Sequence, residues 1–66
     1  MNKIVGYRKM LGKTQVEMAN VFNISTQSYW KKENGKTKFS DEEKIIFRQL
    51  LKPLFPHITI DDIFFS

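Results

Sequence analysis

Residues 14–38 read TQVEMANVFNISTQSYWKKENGKTK, and the fold turns on how this stretch divides. Thr14 places a hydroxyl three residues before Glu17, the spacing of a capping box, so a helix is predicted from Gln15 to Phe22. Met18, Ala19 and Phe22 fall on one side of it at helical spacing. Asn23 is among the few non-glycine residues that tolerate a left-handed backbone, which marks the helix end. Ser25 is the next N-cap, so only Asn23, Ile24 and Ser25 separate this helix from another predicted over Thr26–Asn34 and closed by Gly35.

The same spacing extends outward in both directions. A preceding helix is predicted from Asn2 to Leu11, with Ile4, Tyr7 and Leu11 on one stripe and Gly12 as its stop. Downstream, Lys36, Thr37, Lys38 and Phe39 read as a loop, and Ser40 with Glu43 forms a second capping box. That box opens a helix over Asp41–Lys52, whose apolar face is Ile46, Phe47, Leu50 and Leu51 and which Pro53 and Pro56 terminate. Thr59 caps a last short helix through Phe65, with Asp62 at its third position; the rival is a short extended segment at Ile58-Thr59-Ile60. The expected fold is all-α, a compact five-helix domain over residues 1–66 with no linker and no repeat.

Sixty-six residues make one small domain. With 41% hydrophobic and 27% charged residues, the composition is too apolar for a disordered tail. Cysteine is absent, so neither a disulfide framework nor a zinc finger supports the core, and a cytoplasmic location is expected. No apolar run is long enough to span a bilayer and the N-terminus has no signal-peptide h-region, so neither membrane insertion nor secretion is expected. The net charge of +4 is unevenly distributed: residues 1–38 carry +6 and residues 39–66 carry −2. A polyanion that meets the N-terminal half is one explanation, and an ordinary lysine-rich solvated face is the other.

The two helices of residues 14–38 and their three-residue turn form a helix-turn-helix arrangement. Ala19 provides the small residue that lets the two helices cross closely. An ideal helix advances about 100° per residue. With Thr26 at zero, Trp30 lies at about 40°, Gln27 at about 100° and Lys31 at about 140°, with Tyr29 and Lys32 on the opposite side. A helix fits a major groove about 12 Å wide, where Gln makes two hydrogen bonds to adenine and Lys donates to guanine, so Gln27 and Lys31 are candidate base readers. Thr26 offers its methyl to thymine or its hydroxyl to phosphate. Ser25, at the helix N-terminus, suits phosphate. Trp30 has two readings: an indole packed on a sugar or thymine methyl, or one that curls over Tyr29 into the core or contacts a protein.

The chain resembles the Cro and lambdoid-repressor class of DNA-binding proteins, also called XRE-like. The residues that carry the resemblance are Arg8, Thr14-Gln15, Ala19, Ile24-Ser25, Gln27-Ser28 and the run Glu33-Asn34-Gly35-Lys36-Thr37-Lys38. It covers residues 1–52 well and the tail less well. Gln27-Ser28-Tyr29, Lys32-Glu33 and the ending Ile60-Asp61-Asp62-Ile63-Phe64-Phe65 also resemble small phage-type regulators of Gram-positive bacteria. The resemblance implies that Gln15 contacts the DNA backbone and that Asn34, Lys36 and Lys38 clamp the next phosphates; the alternatives are an exposed first-turn residue and a solvated loop. It also implies an ion pair between Arg8 and Glu33. Lys13 and Lys32 depart from the pattern, since both occupy positions that are usually apolar, where they are expected to snorkel towards solvent or phosphate.

Other chemistries have little support. His57 is the only histidine and has no cysteine beside it, Asp61-Asp62 suits a helix N-terminus, and no phosphate loop or nucleophile elbow occurs. No enzyme, metal or cofactor is expected. Seven large apolar residues (Leu54, Phe55, Ile58, Ile60, Ile63, Phe64, Phe65) crowd the C-terminus, where they either close the core or form a homodimer interface. The expected function is sequence-specific binding of a double-stranded DNA operator by a phage-type transcriptional regulator, a Cro-like repressor. The alternatives are a protein-binding antirepressor of the same fold and an antitoxin-type regulator.

Overall fold

The computed structural model describes residues 3–65. Five helices occur among them: α1 (Lys3–Met10), α2 (Gln15–Phe22), α3 (Thr26–Glu33), α4 (Asp41–Leu51) and α5 (Ile60–Phe64). The fold is all-α, with no strand among the described residues.

Local chemistry sets most of the boundaries. Thr14 Oγ1 accepts from the Glu17 amide at 3.1 Å while Glu17 Oε1 accepts from the Thr14 amide at 2.8 Å. Ser40 with Glu43 and Thr59 with Asp62 close the same reciprocal pair at the starts of α4 and α5. Ser25 caps α3 by accepting from the Ser28 amide at 3.1 Å. The turn between α2 and α3 needs a positive φ at one residue, and Asn23 adopts 56° there. That conformation lets the Ile24 amide reach back to the Ala19 carbonyl at 3.0 Å, which satisfies an end-of-helix acceptor. Gly12 and Gly35, at φ 69° and 76°, turn the chain after α1 and α3.

Several boundaries differ by one residue from those expected. Asn34, Lys52 and Phe65 are C-caps rather than helical residues, and Leu11 has already turned; Asn2 lies outside the described residues. Thr59 is extended, as an N-cap must be, which accounts for the alternating pattern around it.

The core is Met18, Ala19, Phe22, Tyr29, Phe39, Phe47, Leu51, Ile58 and Ile63. Ala19 is almost fully buried where α2 and α3 pack together. The Ile4, Tyr7 and Leu11 stripe is only half-buried, and α1 has no buried residue, because it lies across the outside of the packed unit against α5. Phe39, expected in a loop, is buried. Its ring lies 6.1 Å from Phe22, 6.3 Å from Tyr29, 6.3 Å from Phe47 and 5.2 Å from Phe64, so the α3–α4 connection is held down by an aromatic cluster. The segment is a loop, as expected, and tertiary packing buries this one residue of it.

The C-terminal apolar residues divide. Ile58 and Ile63 are in the core and Phe64 packs against it, whereas Leu54, Phe55 and Phe65 remain exposed. The Arg48 Nε donates to the Ile58 carbonyl at 3.1 Å, which ties the proline-containing connection to α4. No helix among the described residues is long and apolar enough to cross a membrane.

Candidate nucleic-acid interface

Helix α3 has two unlike faces. Tyr29 and Glu33 are buried, while Thr26, Gln27, Trp30 and Lys31 are all exposed on the outside. The angular division follows from one inward aromatic anchor: once Tyr29 packs parallel to Phe22 at 6.1 Å between ring centres, residues 26, 27, 30 and 31 must point away from the core.

The buried face is held by charge as well as packing. Glu33 is 3% exposed. Its carboxylate accepts from Arg8 Nε at 2.7 Å, Arg8 Nη2 at 3.4 Å, Gln15 Nε2 at 2.8 Å and the Tyr29 hydroxyl at 2.7 Å. Arg8 Nη1 also donates to the Lys13 carbonyl at 3.0 Å. One buried carboxylate therefore joins α1, the start of α2 and α3. Burial alone would raise the Glu33 pKa, but the donors Arg8, Gln15 and Tyr29 outweigh it and hold the carboxyl below its ordinary value. The Glu33 hydrogen bond in turn raises the Arg8 pKa. Burial, reinforced by the bond to Glu33, pushes the Tyr29 phenol up.

A second pair, from the neighbouring residue, fastens the same last turn of α3. Lys32 Nζ donates to Glu43 Oε1 at 2.8 Å and to the Lys38 carbonyl at 3.3 Å, bridging α3 to the start of α4. Lys32 was expected to snorkel towards solvent or phosphate; its ammonium instead reaches a carboxylate within the fold, because Glu43 accepts it while also closing its own capping box. Desolvation opposes the Glu43 charge, and the bonds from Lys32 and Ser40 prevail, so its pKa falls. Among the described residues, no buried side-chain nitrogen or oxygen lacks a hydrogen-bond partner.

The candidate phosphate residues are placed less uniformly. Ser25, Lys36 and Lys38 are exposed. Gln15 is half-buried and its amide donates to Glu33, so it is part of the scaffold rather than a simple exposed first-turn side chain. Asn34 is exposed, but its amide Nδ2 donates to the Trp30 carbonyl at 2.8 Å and so closes the end of α3. Lys36 Nζ lies 5.9 Å from the centre of the Trp30 ring. Trp30 is 43% exposed and does not enter the core. A shallow groove is lined by Arg8 and Lys9 at the end of α1, Gly12 and Lys13 in the turn after it, Gln15 at the start of α2 and Thr26 at the start of α3.

Sequence reasoning missed the Lys32–Glu43 pair, the Gln15–Glu33 bond and the Tyr29–Glu33 bond. Only the last had a local signal, since residues four apart share a helix face. Among the described residues no group of three His, Cys, Asp or Glu side chains converges to hold a metal, and His57 is exposed in the connection before α5. Comparison of the chain with family models, with characterised proteins and with solved structures finds no match.

Proposed function

We propose that this chain binds double-stranded DNA sequence-specifically, with α2 and α3 acting as a helix-turn-helix and α3 entering the major groove. The observation that carries the proposal is the outer face of α3, where Thr26, Gln27, Trp30 and Lys31 are exposed together while Glu33 and Lys32 fasten the inner face to the body. A rigid helix that presents a glutamine, a lysine and a threonine has the donors and the methyl needed to distinguish base edges. Gln27 and Lys31 read bases, Thr26 contacts a base or phosphate, and Ser25, Lys36 and Lys38 bind phosphate. Gln15 and Asn34 serve the phosphate contacts from positions their hydrogen bonds hold fixed.

The biological role that fits is a phage-type transcriptional regulator, a Cro-like repressor that works in the cytoplasm without enzymatic activity. Exposed Leu54, Phe55 and Phe65 supply apolar surface for a homodimer that reads two half-sites about one helical turn apart. Sedimentation at micromolar concentration tests the dimer, and a strict monomer removes it.

Selection of bound fragments from random duplex DNA, followed by a salt titration, tests the function itself. An enriched site and a steep fall of affinity with salt are expected, because each phosphate-bound lysine contributes roughly 0.9 to the logarithmic slope. The exposed indole of Trp30 also suits a protein partner, as in an antirepressor or an antitoxin-type regulator. No enriched site together with a flat salt slope would overturn the DNA-binding function and favour the protein-binding one.

A further inference from the structure

We infer that Trp30 is a specificity-determining residue that reads the 5-methyl group of a thymine, about one base step from the base read by Gln27. The inference rests on the DNA-binding function proposed above. Trp30 stands near the middle of the outer face, between the directions of Thr26 and Gln27, and is 43% exposed. The loop after α3 folds back beside it: the Lys36 and Thr37 amides both donate to the Lys31 carbonyl, at 2.8 and 3.3 Å. That turn brings Lys36 Nζ to 5.9 Å from the indole centre. The Asn34 amide binds the Trp30 carbonyl. The backbone of Trp30 is thus pinned and its ring is flanked by a cation, although the core is complete without it.

The chemistry of the groove then narrows the ligand. An indole offers apolar faces and a single N–H donor. Every base edge in the major groove presents hydrogen-bonding atoms, and only thymine adds an apolar methyl. Against any other edge the ring would strip water from donors and acceptors without replacing it. Against thymine it buries apolar surface on apolar surface, while Lys36 beside it suits the flanking phosphate. Trp30 lies three residues beyond Gln27, roughly 4.5 Å along the helix axis at about 1.5 Å per residue, against about 3.4 Å per base step. A cytosine methylated at C5 presents the same methyl at the same place.

The test uses synthetic duplexes of the selected site in which each thymine in turn is replaced by uracil, which removes only the methyl. One thymine per half-site is expected to be sensitive, with affinity falling about fourfold on loss of one buried methyl. Placing 5-methylcytosine there is expected to bind more tightly than cytosine. In Trp30→Ala, thymine and uracil should bind equally at that position, while circular dichroism shows the variant still folded with a cooperative melt; Trp30→Phe should keep part of the discrimination. If a site is selected but no uracil substitution weakens binding, or if the penalty persists in Trp30→Ala, the methyl contact is refuted and DNA binding stands. If no site is selected at all, the DNA-binding function falls and the inference with it.

Discussion

The Arg8 guanidinium and the Glu33 carboxylate meet at 2.7 Å, with the two side chains 12% and 2% exposed. The pair connects α1 to the last residue of α3, and Gln15 and Tyr29 complete the bonding of the same carboxylate. The orientation of the outer face of α3 therefore depends on a buried charge that all three N-terminal helices contact. Removing one partner of such a pair strands the other, at about 3–5 kcal/mol. Arg8→Ala is expected to lower Tm by more than about 10 °C in a domain of this size, and to weaken DNA binding along with it. Thermal melts followed by circular dichroism measure the first effect. An unmoved melting curve with lost affinity would contradict the scaffold role.

The two shifted groups on α3 titrate on opposite sides of neutrality. Glu33 has a lowered pKa in the fold, so its stabilising contribution is present above the ordinary carboxylate value of about 4.3 and is lost as pH falls through the folded value. Tyr29 has a raised pKa, so its contribution is complete below about 10 and is lost as pH rises through the folded value. Tm is expected to fall in both acid and alkali. Tyr29→Phe should flatten the alkaline limb and, by deleting a bond to a charged acceptor, cost about 1.5–3 kcal/mol near neutrality.

Phe39 and Trp30 offer opposite outcomes from similar truncations. Phe39 is 8% exposed and touches four other rings. Phe39→Ala is expected to cost about 3–5 kcal/mol, comparable to the whole stability a core this small supplies, and to leave the chain largely unfolded at 25 °C. Trp30→Ala should cost far less, about 1 kcal/mol, for the loss of a part-exposed ring and its contact with Lys36. Urea titrations of both variants check the contrast.

The lysines outside the scaffold are expected to separate affinity from specificity. Lys36→Ala and Lys38→Ala should each lower the salt slope by about one and weaken all sequences alike. Gln27→Ala should instead relax selectivity at one base pair by about 1–3 kcal/mol with the slope retained. Lys32→Ala is expected to act on stability, because its ammonium is bound to Glu43. Affinities measured across a salt series on cognate and single-mismatch duplexes distinguish the first two effects, and thermal melts read the third.

As the sole tryptophan, Trp30 is also a reporter. Its emission is expected to change on adding DNA and to remain constant when an acidic protein is added in its place. An equal response to both would favour a general polyanion surface over a groove-reading one.

Helix starts and stops were legible along the chain because capping is a contact between residues three or four apart. Thr14 with Glu17, Ser40 with Glu43 and Thr59 with Asp62 need no distant partner to form. The left-handed Asn23 and the outward direction of Gln27 and Lys31 are similarly local, given an inward Tyr29. Where Phe39, Lys32, Gln15 and Trp30 come to rest was decided by packing between helices. Phe39 fills a space lined by α2, α3, α4 and α5, and nothing in its loop neighbours marks that space. Lys32 finds Glu43 and Gln15 finds Glu33 across 11 and 18 residues, distances over which composition and periodicity carry no register. Trp30 stays at the surface because the aromatic cluster closes without it. Backbone hydrogen bonds and caps are satisfied within a turn of helix, whereas buried charge and ring packing depend on which elements meet, and only the folded arrangement specifies that.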